Sequence, residues 1–128
     1  MVGFGITIHH TWIRDTNQRN PAFDNGMGHL YNNYHQSVRA CGVDARGKAR
    51  LVVEHSVFKD TRNPLRRQPS AQLVSRGNRL IDCRGDVQPG GEAFDPSGYY
   101  TYHLDEADRV VDLLEQFAGP QARVSEGR

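Results

Sequence analysis

The stretch Ile6-Thr-Ile-His-His-Thr-Trp-Ile13 and its continuation Arg14-Asp-Thr-Asn-Gln-Arg-Asn-Pro21 decide the fold of this chain. A strand-like run is followed by a polar loop that ends at a proline. Three later segments align with the run: Gly28-His-Leu-Tyr-Asn-Asn-Tyr-His35, Leu51-Val-Val-Glu-His-Ser-Val-Phe58 and Leu73-Val-Ser-Arg-Gly-Asn-Arg-Leu80. Their sixth positions are Thr11, Asn33, Ser56 and Asn78, so the intervals are 33−11=22, 56−33=23 and 78−56=22.

A period of about 22 residues with a small polar side chain at a fixed place predicts an all-β, right-handed parallel β-helix. Successive turns of such a solenoid stack about 4.8 Å apart, so equivalent side chains form ladders. The ladder of small polar residues is plausible inside the solenoid, because each side chain bonds its neighbours in the turns above and below. Ordinary antiparallel strands with coincidental spacing are the alternative, and four segments in register favour the solenoid.

Composition limits the functional classes. The chain has 128 residues and a formal net charge of +1, which indicates one domain and gives no support to a nucleic-acid partner. No apolar run approaches the roughly 18 residues that a membrane helix needs, so no membrane partner is expected. The first residues show no signal peptide.

The C-terminal third departs from the repeat. Residues 85–98 are loop by composition, and Tyr99-Tyr-Thr-Tyr-His103 alternates weakly, as a last strand would. Residues 105–118 form the clearest helix, with an apolar face and acids in its first turn, and that face should cover strands or an open end of the solenoid. The predicted domain therefore covers residues 1–119, and residues 120–128 are expected to be a flexible tail.

The loops of stacked turns should stack as well. Six residues beyond the ladder position lie Asn17, Arg39, Arg62 and Arg84, three of which are arginine. Arg39 and Arg62 are therefore candidate substrate-binding residues for a polyanion. A solvated charged face is an equally good interpretation of these arginines.

The motifs His9-His10-Thr11, Arg19-Asn20-Pro21 and His29-Leu-Tyr-Asn-Asn-Tyr34 together resemble the pectate lyase family. That family combines a strand ending in His-His-Asn, an Arg-x-Pro loop and a strand that carries His and Asn-Asn-Tyr. The resemblance is strong over residues 6–35 and continues more weakly to about residue 118. It implies a right-handed parallel β-helix that cleaves polygalacturonate or pectin by β-elimination.

The resemblance also implies roles for individual residues. Arg19 matches the arginine that removes the C5 proton of the uronate in the family. A guanidinium is almost never neutral, so such a base needs nearby positive charge, which Ca²⁺ and a lysine supply in the family. The resemblance further implies an extracellular enzyme.

The sequence departs from the family at three places. Thr11 replaces the usual asparagine. Asp24 stands where a second arginine often grips a substrate carboxylate, and it would repel a uronate unless calcium or another substrate pose intervenes. The calcium ligands and the helper lysine of the family lie before the matching segment, so the chain resembles the C-terminal half of such an enzyme, and we expect little activity from it alone.

Two further groups of residues favour structural roles. His9, His10, His29 and His35 lack metal-ligand spacing, so core or ladder positions are expected for them. Trp12 and Tyr34 are equivalent positions of successive turns, and we expect their rings to stack. A non-catalytic solenoid that binds acidic polysaccharide, or an inactive remnant, is the alternative function. The oligomeric state is left open.

Overall fold

The protein is described by a computed structural model that covers residues 5–16 and 21–118. Short strands follow one another through most of the chain, and helical segments close it. The strands are β1 Ile6–His9, β2 Trp12–Thr16, β3 Ala22–Phe23, β4 Met27–Tyr31, β5 Tyr34–Val38, β6 Val43–Ala45, β7 Arg50–Glu54, β8 Val57–Lys59, β9 Leu65–Arg67, β10 Gln72–Arg76 and β11 Arg79–Ile81. The helical segments are a 3₁₀ turn Pro96–Gly98, the α-helix α1 Ala107–Leu113 and a π-helical turn Leu114–Ala118.

Every third strand joins the same sheet, and all strand pairs are parallel. The first sheet has the order β1-β4-β7-β10, the second β11-β8-β5-β2 and the third β3-β6-β9. Ile8 lies opposite Leu30, and Leu30 opposite Val53, which are steps of 22 and 23 residues. The predicted parallel β-helix with about 22 residues per turn is confirmed.

The core is formed by alternate residues of these strands. Side chains on one face of each strand point into the coil, where Leu30, Val53 and Leu73 are at most 1% exposed. This alternation is the period of two that a strand imposes on its side chains. The three sheets therefore enclose a single apolar interior, and their outer faces carry the polar chemistry.

The polar ladder stands at the corner between the first and second sheets. The backbone N–H of Thr11 donates to Asn33 Oδ1 at 2.9 Å, that of Asn33 to Ser56 Oγ at 3.0 Å, and that of Ser56 to Asn78 Oδ1 at 2.8 Å. The ladder was predicted as bonds between side chains, whereas each side chain accepts from the backbone of the preceding turn. The buried backbone donors of the corner are satisfied in this way.

This first corner has a fixed shape in every turn. Two residues separate β1 from β2, β4 from β5, β7 from β8 and β10 from β11. The first of the two is left-handed in each case, with positive φ at His10, Asn32, His55 and Gly77. Gly77 also has a steric reason, because a Cβ there would lie 2.4 Å from the His55 ring. The described corners on either side of the third sheet have three to five residues instead.

Residues 99–106, which we call the strap, cross the outer face of the first sheet. The strand predicted for Tyr99–His103 is wrong, because the segment joins no sheet. Its hydroxyl groups bond outward-facing side chains instead: Tyr100 to Thr7 Oγ1 at 2.9 Å and Tyr102 to Glu54 Oε1 at 2.7 Å. The outer face of the first sheet is therefore buried, with His29 and Val52 both at 0% exposure.

Helix α1 covers the outer face of the second sheet. Val110 and Leu114 pack against Tyr34 and Val57, and Trp12 packs on the edge of this cluster. The predicted role of the apolar helix face is confirmed in its first form, the covering of strands. The predicted stacking of Trp12 on Tyr34 is confirmed as well, with ring centroids 5.6 Å apart.

The helix begins at Ala107 rather than at residue 105. The reason is that the backbone of Asp105 is engaged elsewhere: its N–H donates to Asn32 Oδ1 at 2.9 Å, and its carbonyl accepts from Asn32 Nδ2 at 2.8 Å. The predicted tail, residues 120–128, lies outside the described residues. Among the described residues, no helix is long and apolar enough to cross a membrane.

Candidate functional site

The third sheet is the face of the coil that carries the predicted site residues. In the described part of the chain, the strap lies over the first sheet and α1 over the second, and neither lies over the third. Ala22, Asp44 and Arg66 occupy equivalent outward positions on β3, β6 and β9. The loops that enter this sheet come from the second sheet, and the predicted base belongs to the first of them.

Arg19, the predicted catalytic base, lies outside the described residues, and its assignment stays a prediction. The chain is described on both sides of it, at Thr16 and at Pro21. The carbonyl of Pro21 accepts from the backbone N–H of Asp44 at 3.0 Å, which fixes the end of the Arg-x-Pro loop against the third sheet. The motif therefore opens onto the uncovered face.

Asp24 lies just beyond β3 and is exposed. Its Oδ1 is 3.3 Å from Nε of Arg46 in the next turn, an ion pair that reduces the repulsion a uronate would meet there. Arg46 escaped the sequence reasoning, although the repeat could have found it, since 46−24=22. The next pair along this face joins Arg66 Nε to Asp86 Oδ2 at 3.0 Å.

Arg39, Arg62 and Arg84 are brought together as predicted from the period. All three are exposed, and they line one cavity of about 350 Å³ with Val38, Asp60, Thr61 and Asp82. Arg62 and Arg84 are paired across adjacent turns, and the N–H of Arg62 donates to Val38, the residue before Arg39, at 2.9 Å. We call these three residues the arginine column.

The histidines of the sequence motifs have structural roles. His29 Nε2 lies 2.8 Å from Glu54 Oε1, and its Nδ1 lies 2.6 Å from the Tyr100 hydroxyl, all beneath the strap. His35 is buried inside the coil and stacks on Phe58, with ring centroids 4.4 Å apart. Burial lowers the pKa of His35 to about 3, so the ring is neutral at physiological pH.

Glu54 is the centre of the buried polar network and was missed by the sequence reasoning. Burial works to raise the pKa of Glu54, but hydrogen bonds from His29 and Tyr102 and the charge of Arg76 outweigh it, so the pKa lies below its ordinary value. Its partners His29 and Tyr102 stand 25 and 48 residues away in sequence. No local pattern could have indicated this cluster.

The described residues do not fit a calcium site. Residues 5–16 and 21–118 contain no group of three or more His, Cys, Asp or Glu side chains that could hold a metal ion. Asp24 and Asp86, which flank the third sheet, each face an arginine instead. The predicted calcium ligands are therefore not among the described side chains.

Comparison with known proteins gives a consistent result. A family model described as pectate lyase matches residues 3–121. The pectate trisaccharide-lyase of Bacillus licheniformis is 33% identical over 118 residues, which cover 89% of this chain and 34% of that protein. Pectate lyase C of Dickeya chrysanthemi is 32% identical over 138 residues, which cover 91% of this chain and 37% of that protein.

Solved structures of similar fold are pectate lyases as well. The structure of a pectate lyase from Bacillus sp. N165 in complex with trigalacturonate has a TM-score of 0.75 at 22% identity, and covers 86% of this chain and 38% of its own. Pectate lyase II from Xanthomonas campestris has a TM-score of 0.71 at 22% identity, with 83% of this chain and 37% of its own covered. The chain thus spans about a third of the length of the proteins it matches.

Proposed function

The chain belongs to the pectate lyase family, and from that premise we propose that the protein cleaves polygalacturonate by β-elimination with Arg19 as the base. The proposal is carried by one observation: the Arg19-Asn20-Pro21 loop ends, at Pro21, on the third sheet, which neither strap nor helix covers. The trigalacturonate bound to the structural relative from Bacillus supports the choice of polymer.

The elimination needs two proton movements and one bond cleavage. Arg19, in its neutral form, takes the proton from C5 of a uronate, whose adjacent carboxylate stabilises the charge that develops. The C4–O bond then breaks, a C4–C5 double bond forms, and the departing oxygen takes up a proton. Cations beside the carboxylate lower the barrier, because they stabilise the transition state more than the ground state.

The calcium that the family resemblance implies remains part of the proposal only. The described residues supply no ligand set for it, and no step above depends on it. Because the chain spans about a third of its relatives, we further propose that it is the C-terminal part of a longer lyase domain. An extracellular location is proposed on the same resemblance.

The test measures unsaturated product. The longest natural form of the protein that contains this sequence, and the 128-residue chain beside it, are incubated with polygalacturonate with and without added calcium. We expect ultraviolet absorbance from the C4–C5 double bond in the longer form, and a loss of at least about a hundredfold in Arg19→Ala. Asn20→Ala, in the same loop, is the matched control and should retain activity.

Two outcomes count against the enzyme. If the longer form yields no unsaturated product, or if Arg19→Ala reacts at the rate of the parent, the proposed function is wrong. Binding of the polymer without product would instead favour the second candidate, a non-catalytic solenoid for acidic polysaccharide, which the exposed arginine column supports.

A further inference from the structure

The arginine column differs from the other described arginines of the third-sheet side in having no counter-ion. Arg46 and Arg66 each lie within 3.3 Å of an aspartate oxygen. Among the described residues, no carboxylate lies within ion-pair distance of Arg39, Arg62 or Arg84. Three like charges on successive turns repel one another, so the column is stabilised by an anion that bridges them.

The column sets the shape of that anion. Equivalent residues of adjacent turns are about 4.8 Å apart, so the three guanidinium groups present one cation per turn along the axis of the coil. A single small anion cannot reach all three. An extended polymer with a negative group on each monomer can, and planar carboxylates match the fork of a guanidinium group.

The acidic side chains of the same cavity set the direction of approach. Asp60 and Asp82 stand two residues before Arg62 and Arg84, and Asp60 Oδ2 accepts from Ser37 Oγ at 3.1 Å. These carboxylates repel a polyanion on the side of the second sheet. The polymer therefore approaches from the third sheet, the side on which the Arg-x-Pro loop ends.

We propose that Arg39, Arg62 and Arg84 form a binding site for a run of consecutive unesterified uronates, next to the site of cleavage. This inference rests on the proposed function for the identity of the polymer, and it adds a specificity: methyl esters remove the charges that the column reads. The site should therefore select de-esterified blocks and reject pectin in which the carboxyl groups are esterified.

The test measures binding, which requires no turnover. The chain is titrated with polygalacturonate oligomers at low salt, as the parent and as Arg62→Gln, the double variant Arg62→Gln/Arg84→Gln and the triple variant that adds Arg39→Gln. We expect Kd to rise about fivefold for each arginine lost, and Arg62→Lys to recover part of the loss. Arg50→Gln is the matched control, since Arg50 is exposed on the corner between the third and first sheets and removes the same charge.

Comparison polymers complete the experiment. Fully methyl-esterified pectin and a single-stranded nucleic acid of equal length should bind at least tenfold more weakly than polygalacturonate. The inference is overturned if the triple variant binds as tightly as the parent, if Arg50→Gln weakens binding as much as Arg62→Gln, or if the nucleic acid binds as well as the uronate. Circular dichroism of each variant shows that the coil is intact.

Failure of this inference and failure of the proposed function give different results. If unsaturated product forms and KM is unchanged in the triple variant, the column is not a uronate site although the protein is a lyase. If polymer binding depends on the column and no product forms, the site stands and the lyase proposal fails.

Discussion

A buried histidine couples the stability of the coil to pH. His35 packs against Phe58 inside the solenoid, and its Nδ1 has no hydrogen-bond partner in the described part of the chain. Its pKa falls from 6.5 to about 3 on folding, because burial disfavours the charged ring. The unfolded chain therefore binds a proton below pH 6.5 that the folded chain does not, and stability decreases as the pH falls from 6.5 towards 3.

Replacing this ring by a hydrocarbon should remove the dependence. We expect His35→Phe to lose about 1–2 kcal/mol less than the parent in free energy of unfolding between neutral pH and about pH 5, since the titrating group is gone. Urea unfolding at both pH values measures the difference. His103→Phe makes the same change at a side chain that is 86% exposed, and should follow the parent. An unchanged pH dependence in His35→Phe would contradict the assignment.

The strap is held by hydroxyl groups rather than by strand pairing. Tyr102 donates to Glu54, and Tyr100 bonds both Thr7 and His29, so two tyrosines bind three turns of the first sheet. Glu54 in turn contacts Arg76, with 3.0 Å between Oε2 and Nη2. Because the pKa of Glu54 is lowered in the folded state, its contribution is present above its ordinary value of 4.5 and is lost as the pH falls below it.

Removal of one hydroxyl should loosen the strap. Tyr102→Phe takes a hydrogen bond from a buried carboxylate, and we expect the free energy of unfolding to fall by about 1.5–3 kcal/mol. Amide hydrogen exchange in residues 99–106 should accelerate at the same time. Tyr99→Phe is the matched control, since Tyr99 is 55% exposed and keeps its ring contact with Phe94. Equal effects of the two substitutions would show that Glu54 does not hold the strap.

The difference between the coil and the strap explains what the sequence could reveal. The ladder residues Thr11, Asn33, Ser56 and Asn78 repeat at a fixed interval, so the parallel coil is readable from four short segments. The strap contacts join residues that are 48 to 93 positions apart and occur once, so no period marks them. The alternating tyrosines of the strap resemble a strand locally, and only the buried Glu54 and His29 decide otherwise.

The candidate site shows the same limit. The arginine column follows the repeat and was predictable, whereas the ion pair of Asp24 with Arg46 depends on side-chain geometry. The motif that carries Arg19 was recognised as a whole. Its partners in the reaction are not fixed by any pattern in the described residues.

The whole molecule should unfold as one unit despite its repeats. Repeat proteins can lose their turns separately, because each turn contacts only its neighbours. Here the strap binds Thr7, His29 and Glu54 from three turns, and α1 covers the second sheet from Trp12 to Ile81. These long contacts couple the turns in addition to the ladders.

Coincident transitions would demonstrate this coupling. Trp12 is the single tryptophan and reports on the first turn of the coil, whereas far-ultraviolet circular dichroism reports on all sheets. We expect both signals to have the same urea midpoint, and Leu114→Ala to lower both midpoints together by about 2–4 kcal/mol in stability. A tryptophan transition that precedes the dichroism would show that the first turn melts on its own.

The corners of the coil divide the sequence into a part that is fixed and a part that is free to grow. Each first corner has two residues, with a left-handed residue before the ladder position, so an insertion there would break the register of every later turn. The corners beside the third sheet already differ in length by one or two residues without disturbing the core. Evolution and engineering can therefore lengthen the loops around the uncovered face and change what it recognises, while the scaffold behind it stays the same.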